Sequence, residues 1–206
     1  MNTEMYIWFF ICVMGLVAIV PLYFLSVEHL KLQRKYGKEK GTNIGEICGL
    51  ISGWGFFLFW IGIWISPQPR FAIQPLQNLA IQAFEFSIPL SHLIVSAPFV
   101  ALGAWLGIAG AREVTLRVSE THRTERIVTT GVYSVVRHPQ YLGGLLAHVG
   151  ISFLLSAFYS LVSTPLVVLV VYVISRKEEE ELIKEFGDEY EGYKRRVPML
   201  FLRLYG

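Results

Sequence analysis

The sequence predicts an all-α fold, namely a polytopic membrane helix bundle with about five transmembrane helices and a cytosolic C-terminal helix. Of its 206 residues, 53% are hydrophobic and only 17% are charged, and the mean hydropathy is +0.49. Soluble domains contain about 25% charged residues and fewer apolar ones. Several stretches also approach the length of about 20 apolar residues that a helix needs to cross a bilayer.

Four apolar stretches account for the five predicted helices. Residues 5–27 carry no charged side chain, and they have neither a basic leader nor a small-residue cleavage site, so we expect a retained membrane anchor. Residues 45–65 and 88–111 predict the second and third spans. The last stretch, residues 141–175, is too long for one span at 35 residues and predicts two short helices joined near residues 160–165.

The distribution of lysine and arginine predicts the orientation of the bundle. Five of these residues follow the first span, one follows the second, five lie between residues 112 and 137, and seven lie in the tail from Arg176 onward. Because short cytoplasmic loops collect positive charge, we expect the N-terminus outside and the C-terminus in the cytosol. The net charge of only +2 does not indicate nucleic acid as a partner, whereas anionic membrane lipids suit the loop charges.

We expect one compact bundle, because the chain shows no internal repeat and no low-complexity linker. Residues 1–111 would supply three N-terminal spans, and residues 112–206 a polar connector, a helical hairpin and the C-terminal helix. Residues 71–87 predict either an interfacial helix or the polar start of the third span. Small residues recur at every fourth position in two spans, which favours close helix packing in lipid. These residues are Gly45, Gly49 and Gly53, and Gly103, Gly107 and Ala111.

A polar motif lies immediately before the fourth predicted span. It begins with Gly131 and Tyr133 and continues as Arg137-His138-Pro139-Gln140-Tyr141-Leu142-Gly143. Pro139 can open the helix, since proline suits the first helical turn, and His138 then flanks the helix start. The free amides of a helix start and the forked guanidinium of Arg137 both suit a carboxylate or phosphate. We therefore expect an anionic group of a ligand to bind here.

A second polar cluster follows the fifth predicted span. It runs from Arg176 through Glu178, Glu179, Glu180 and Glu181 and continues to Tyr193. Because a short hairpin joins the fourth and fifth helices, their cytosolic ends should be neighbours, so that the two clusters face one pocket. A cofactor that carries both positive and negative groups would fit between them.

Several of these residues also have a purely structural interpretation. Arg137 could extend its charged head to lipid headgroups at the membrane edge. The glutamates could form a solvated helical face with i,i+4 ion pairs, and for Glu180 and Glu181 we expect only that role. His92 and His148 lie inside apolar segments, where we expect each to form a hydrogen bond between helices.

The order of the motifs resembles the isoprenylcysteine carboxyl methyltransferase and phospholipid methyltransferase family of membrane enzymes. The pattern is G-V-Y-x-x-x-R-H-P-x-Y-x-G, an apolar hairpin and then E-E-x-x-L-x-x-x-F-G-x-E-Y-x-x-Y, within residues 127–198. The resemblance implies S-adenosylmethionine as cofactor, a cytosolic pocket, and a lipophilic or lipidated acceptor. It assigns cofactor binding to Gly131, Tyr133, His138, Pro139, Tyr141, Gly143, Glu178 and Glu179. The charge argument adds Arg137 to this set. Further upstream, Glu125 stands where the family often has a histidine.

The expected reaction is methyl transfer, with Glu178, Arg137 and Arg176 as candidate catalytic residues; Arg176 would orient an acidic acceptor. A carboxylate acceptor is ionised at neutral pH and needs no general base, whereas an amine acceptor would give Glu178 or Glu179 that role. Two alternatives stay open, an NADPH-dependent sterol-type reductase with a similar arginine, His-Pro and tyrosine arrangement, and a non-catalytic membrane scaffold of the same fold. The two cysteines are too few and too far apart to indicate a metal site.

Overall fold

The structure is a computed structural model that describes residues 6–74, 79–83, 86–114 and 126–201. Within these residues the fold is a helical bundle with one two-stranded sheet, which confirms the predicted helical class. The elements in order are α1 (Ile7–Ala18), α2 (Val20–Val27), α3 (His29–Tyr36), α4 (Lys38–Ile65), β1 (Ala80–Ala83), β2 (Phe86–Pro89), α5 (Leu90–Val114), a 3-10 turn (Gly131–Ser134), α6 (Pro139–Leu154), α7 (Phe158–Val162), α8 (Thr164–Phe186) and α9 (Asp188–Arg196).

Three helical segments in the described part of the chain are long and apolar enough to cross a membrane. They are Ile7–Val27, which comprises α1 and α2, Lys38–Ile65, which is α4, and Leu90–Val114, which is α5. These segments match the first three predicted spans and are those of an integral membrane protein. The count of five spans is not confirmed, because α6 has only 16 residues and α8 becomes charged at Arg176.

A proline interrupts the first apolar segment. Pro21 lies in the first turn of α2, and α1 ends at Ala18, because proline cannot donate the backbone hydrogen bond that would continue the helix. After α2 the chain passes through Glu28 into the short α3, which packs against α4. The five basic residues expected in the first cytosolic loop therefore lie on helices, three on α3 and two in the first turn of α4.

The segment that precedes α5 is a strand pair. β1 and β2 are antiparallel, with Ala80 opposite Pro89. Both alternatives that we expected for residues 71–87, an interfacial helix and an extension of the third span, are therefore wrong for the described part of this segment. The physical reason for the late start of the helix is Pro89, since the residue before a proline avoids helical geometry and α5 begins only at Leu90.

Helices α5 and α6 approach each other backbone to backbone. A Cβ atom added to Gly103 would lie 2.6 Å from the carbonyl oxygen of Gly143 and 2.8 Å from the amide nitrogen of Ala147. This close contact confirms the packing role that we expected for Gly103. One turn further along α5, the Gly107 backbone also approaches α6, since its amide nitrogen lies 2.9 Å from a Cβ atom added to Gly143, but the Cβ position of Gly107 itself has no neighbouring atom within 4 Å.

Buried histidines of α5 and α6 form hydrogen bonds to neighbouring helices. The indole Nε1 atoms of Trp60 and Trp64 each donate a hydrogen bond of 2.9 Å to His148 Nδ1, and His148 Nε2 donates to a carbonyl oxygen of α7 at 3.1 Å. His92 of α5 contacts the carbonyl oxygen of Phe153 in α6 through Nδ1 at 2.9 Å. The expected hydrogen bonds between helices are confirmed for both histidines.

We expect Gly103→Ala to destabilise the bundle and Gly107→Ala to leave its stability at or slightly above the wild-type value. The added methyl group at position 103 must displace the backbone of α6, and overpacking of this kind costs about 1–3 kcal/mol. At position 107 the methyl group enters open space. The thermal unfolding midpoints of both variants in one detergent measure the difference, and equal midpoints would contradict the close contact.

Candidate active site

A tight turn between α5 and α6 forms the first part of the site. Gly131 has a φ of +52°, which favours glycine, and it begins the 3-10 turn. The backbone N–H of Val132 donates to the carboxylate of Glu113 at 3.0 Å, and Gln140 Nε2 donates to the Tyr133 hydroxyl at 3.2 Å. Sequence reasoning missed Glu113, because a carboxylate at the end of a helix gives no local signal of the turn that it will cap.

The C-terminal strap, which we define as residues 197–201, holds the start of α6. The backbone amides of Arg137 and His138 donate to two carbonyl oxygens of the strap at 2.9 and 3.1 Å. Pro139 is buried and is the first residue of α6, as predicted. The His138 ring stacks on the Tyr141 ring one turn later, with centroids 5.4 Å apart and an interplanar angle of 10°.

Arg137 and Glu179 form a buried ion pair between the start of α6 and α8. Arg137 Nε and Nη2 each lie 2.7 Å from Glu179 Oε1, and Nη1 donates to the carbonyl oxygens of Lys194, at 3.1 Å, and of Val197. The two side chains are only 5% and 1% exposed. The guanidinium is therefore directed at the protein itself, so Arg137 does not reach toward lipid headgroups.

The same contacts set the charge of Glu179. Burial by itself would raise the pKa of this carboxyl group, but hydrogen bonds from His138 and Arg137, together with charge attraction, hold the pKa at about 2. His138 Nε2 lies 3.2 Å from Glu179 Oε1, and Lys194 Nζ lies 3.6 Å from Oε2. The carboxylate is ionised at neutral pH and compensates the buried guanidinium.

Glu178, the next residue along α8, lies on the wall of a cavity. Its Oε2 lies 3.1 Å from the hydroxyl oxygens of both Tyr23 and Tyr141, within hydrogen-bond distance of each, and the two hydroxyl oxygens are 2.6 Å apart. His138 Nδ1 lies 3.7 Å from the same carboxylate oxygen. The Glu178 side chain is 27% exposed and so remains accessible to a ligand. Sequence reasoning missed Tyr23, whose only signal is a hydroxyl in an otherwise apolar span.

The cavity has a volume of about 710 Å³, and its polar end is acidic. Glu178, Glu181 and Glu185 line it from one face of α8, where they recur at helical spacings of three and four. The ion pairs that we expected along the helix are present for Glu181, with two lysines of α8 at 2.9 and 2.7 Å, but the expectation of a solvated position is wrong, since the side chain is 12% exposed and lines the cavity. The helical spacing from Glu178 was the signal that could have placed Glu181 here. Glu180 is exposed, as expected.

The rest of the cavity is an apolar groove between α4 and the α5–α6 pair. One wall is aromatic, and the opposite wall contains several small residues, which leave space between the helices. The aromatic wall comprises Trp54, Phe56, Phe57, Trp60 and Trp64, and the small residues opposite are Gly103, Ala104, Gly107, Gly144 and Ala147. Along α4 the lining extends from Gly53 to Trp64, which is about 16 Å at the helical rise of 1.5 Å per residue.

Comparison with protein families identifies the region that contains the polar motifs. Residues 91–189 match the family model described as phospholipid methyltransferase. The match covers 99 residues, slightly less than half of the chain. All of the site residues that we predicted from the sequence fall within the matched region, whereas Tyr23, the aromatic wall of α4 and the C-terminal strap lie outside it. Glu125, the position at which the family often has a histidine, lies outside the described residues.

Several proteins that are similar to this chain are named as methyltransferases. The Protein-S-isoprenylcysteine O-methyltransferase of Schizosaccharomyces pombe is 35% identical over 109 residues, which are 48% of this chain and 45% of the relative. The Homo sapiens protein of that name is 42% identical over 82 residues, 39% and 28% of the two chains. Methanethiol S-methyltransferase 2 of Bradyrhizobium diazoefficiens is 38% identical over 76 residues, 36% and 28% of the two chains. The chain thus spans less than half the length of these relatives.

The fold brings together most of the cofactor-binding residues that we predicted from the sequence. Those that line the cavity are Tyr133, Arg137, His138, Tyr141, Gly143 and Glu178. Glu179 lies behind them in the ion pair, and Gly131 and Pro139 shape the backbone. Arg176 is not close to the others, since it is exposed and is not among the cavity-lining residues. It precedes Glu178 by two residues on α8, so its side chain lies on a different face of the helix.

We expect Glu179→Gln to lower the stability of the protein at neutral pH and to flatten its dependence on acid. The native pKa of Glu179 lies below the ordinary value of 4.5, so its contribution is complete above that value and is lost as the pH falls toward about 2. A pKa difference of this size corresponds to about 3 kcal/mol. Thermal unfolding midpoints, measured in detergent from neutral to acidic pH, test the expectation.

Glu180→Gln is the matched control for this measurement. It removes the same charge from the adjacent, exposed position on α8, and it should keep the acid dependence of the wild-type protein. If Glu179→Gln shows the same midpoints as the control at every pH, the ion pair does not contribute to stability as described.

Proposed function

We propose that this chain is an integral membrane methyltransferase, which transfers a methyl group from S-adenosylmethionine to a lipophilic acceptor. The observation that carries the proposal is the continuity of the cavity, which joins an acidic end beside Glu178 to the apolar groove. A charged methyl donor and an apolar acceptor can therefore meet in one space. The family model that residues 91–189 match supports methyl transfer as the chemistry.

The polar end of the cavity suits the charges of S-adenosylmethionine, which carries a sulfonium, an ammonium and a carboxylate group. Glu178, Glu181 and Glu185 would attract the positive groups, and Arg126 would attract the carboxylate. Among these, Glu178 is the best oriented, because its carboxylate is held by the hydrogen-bonded pair of Tyr23 and Tyr141 while the side chain stays partly exposed. When bound, the cofactor would supply an electrophilic methyl group.

The protein itself would contribute position and charge to the reaction. Methyl transfer is a displacement at carbon, in which the alignment of the reacting atoms and the surrounding electrostatics are what an enzyme can supply. The ion pair of Arg137 and Glu179 would hold the polar end rigid, and the aromatic wall of α4 would keep water away from the acceptor. A carboxylate acceptor would need no general base, whereas an amine acceptor could give its proton to Glu178.

We propose that the acceptor carries an apolar tail and enters at the cytosolic face of the membrane. The names of the relatives include both a lipidated acceptor, isoprenylcysteine, and a small one, methanethiol. The length and aromatic wall of the groove support the lipidated kind. The excess of lysine and arginine in the tail supports the cytosolic orientation. The family match does not favour the NADPH-dependent reductase.

We expect Glu178→Gln to lose most of its affinity for S-adenosylmethionine while the protein stays folded. The substitution keeps the shape of the side chain but removes its charge, and a contact to a charged group contributes about 1.5–3 kcal/mol, or roughly tenfold to a hundredfold in affinity. Isothermal titration calorimetry of the full chain in detergent measures this loss. Thermal unfolding of the same sample checks the fold.

Glu180→Gln is again the matched control, since Glu180 is exposed and does not line the cavity. Unchanged affinity in Glu178→Gln would refute the proposed site. A parallel titration with NADPH addresses the other functions: wild-type protein that binds only NADPH would be a reductase, and protein that binds neither compound would be a scaffold.

We expect Gly107→Leu to weaken binding of a lipidated acceptor and to leave cofactor binding unchanged. The new side chain would enter the groove, because the Cβ position of Gly107 faces open space. Methyl-transfer kinetics with a prenylated cysteine should show a KM raised about tenfold or more. The control is Gly192→Leu in α9, where space is also open but the groove is absent. Equal KM values for the two variants would contradict the assignment of the groove.

A further inference from the structure

Tyr23 is a residue of the N-terminal half that reaches the proposed cofactor site. It lies on α2, outside residues 91–189, and its side chain is only 4% exposed. We infer that Tyr23 is a positioning residue, which holds the carboxylate of Glu178 in place for a cationic group of the bound cofactor. The inference rests on the proposed function, and it adds a residue that the family-matched region does not contain.

Three oxygen atoms form the contact. The Tyr23 hydroxyl lies 2.6 Å from the Tyr141 hydroxyl, and each hydroxyl lies 3.1 Å from Glu178 Oε2. Each phenol has one proton to donate, and an ionised carboxylate has none. Whichever phenol donates across the 2.6 Å contact, the other donates to the carboxylate. Tyr23 therefore acts on Glu178 either directly or through Tyr141.

A second polar contact, at the residue before Glu178, connects α8 to the end of α2. Lys177 Nζ lies 2.7 Å from Glu28 Oε1, and both side chains are only 16% exposed. Glu28 follows α2, and Lys177 precedes Glu178 on α8. Tyr23 also packs in a buried apolar cluster with Ile174 of α8. These contacts make α2 a fixed wall of the site, so that the Tyr23 hydroxyl is held where it can restrain Glu178.

Removal of the Tyr23 hydroxyl isolates this role. The phenylalanine ring would keep the packing against α8, while the Tyr141 hydroxyl would lose its partner and would be left alone to restrain the carboxylate. Because Tyr23 lies at the polar end of the cavity, the loss should appear in cofactor affinity and not in the affinity for an acceptor bound in the apolar groove.

The test is Tyr23→Phe in the full chain, with the Kd for S-adenosylmethionine measured by calorimetry. We expect the Kd to rise about tenfold, which is the scale of one hydrogen bond to a charged group. The unfolding midpoint and the KM for a prenylated cysteine should stay near their wild-type values. Tyr159→Phe on α7 is the matched control, because it removes a hydroxyl from a partly buried tyrosine that does not line the cavity.

A double-mutant cycle with Glu178→Gln separates positioning from packing. If Tyr23 acts through Glu178, adding Tyr23→Phe to Glu178→Gln should change the Kd by no more than about twofold. A full tenfold loss in that background would overturn the inference, as would wild-type affinity in the single Tyr23→Phe variant. Wild-type protein that fails to bind S-adenosylmethionine would refute the proposed function and the inference together, and so is distinguishable from a failure of the inference alone.

Discussion

The buried ion pair of Arg137 and Glu179 determines how α6, α8 and the C-terminal strap meet. Burying two charges costs several kcal/mol, and the cost is offset only where the remaining donors and acceptors are also bonded. Here the guanidinium bonds two further backbone carbonyl oxygens, and His138 also contacts Glu179 Oε1. The buried Oε2 has no hydrogen bond in the described structure and only the ion-pair contact with Lys194 at 3.6 Å. The residues that face the cavity are the sequence neighbours of this pair, His138 beside Arg137 and Glu178 beside Glu179. Their positions therefore depend on it.

Both halves of the chain contribute to the cavity. Helices α6 and α8 supply most of the polar end, while α4 supplies the aromatic wall and α2 supplies Tyr23. The close approach at Gly103 brings α5 and α6 together, and the unfilled space at Gly107 keeps the groove open one turn further on. Along α5, a tight helix contact at Gly103 is thus followed by open space at Gly107. This arrangement lets one cavity serve a charged compound and an apolar one.

Much of the fold and part of the site could be predicted from the sequence. Hydropathy indicated the first three spans, and Pro139 indicated the start of α6. Each of these signals depends only on residues within a single helix. The strands before α5 were not predicted, since the polar and aromatic composition of that segment suited an interfacial helix equally well. Glu181 was misjudged because ion pairs along α8 explained it without reference to the neighbouring helices.

The sequence by itself determined the helical membrane character of the chain and the clustering of polar motifs at helix ends, since hydropathy, helix starts and motif order are local properties. Only the tertiary structure decided what those motifs contact. Tyr23 and Glu178 are 155 residues apart, and Arg137 and Glu179 are 42 apart, so no local pattern relates them. The second pair follows from the cost of desolvating a charge, since a buried arginine needs a carboxylate partner. Only the packing of α6 on α8 shows which carboxylate that is.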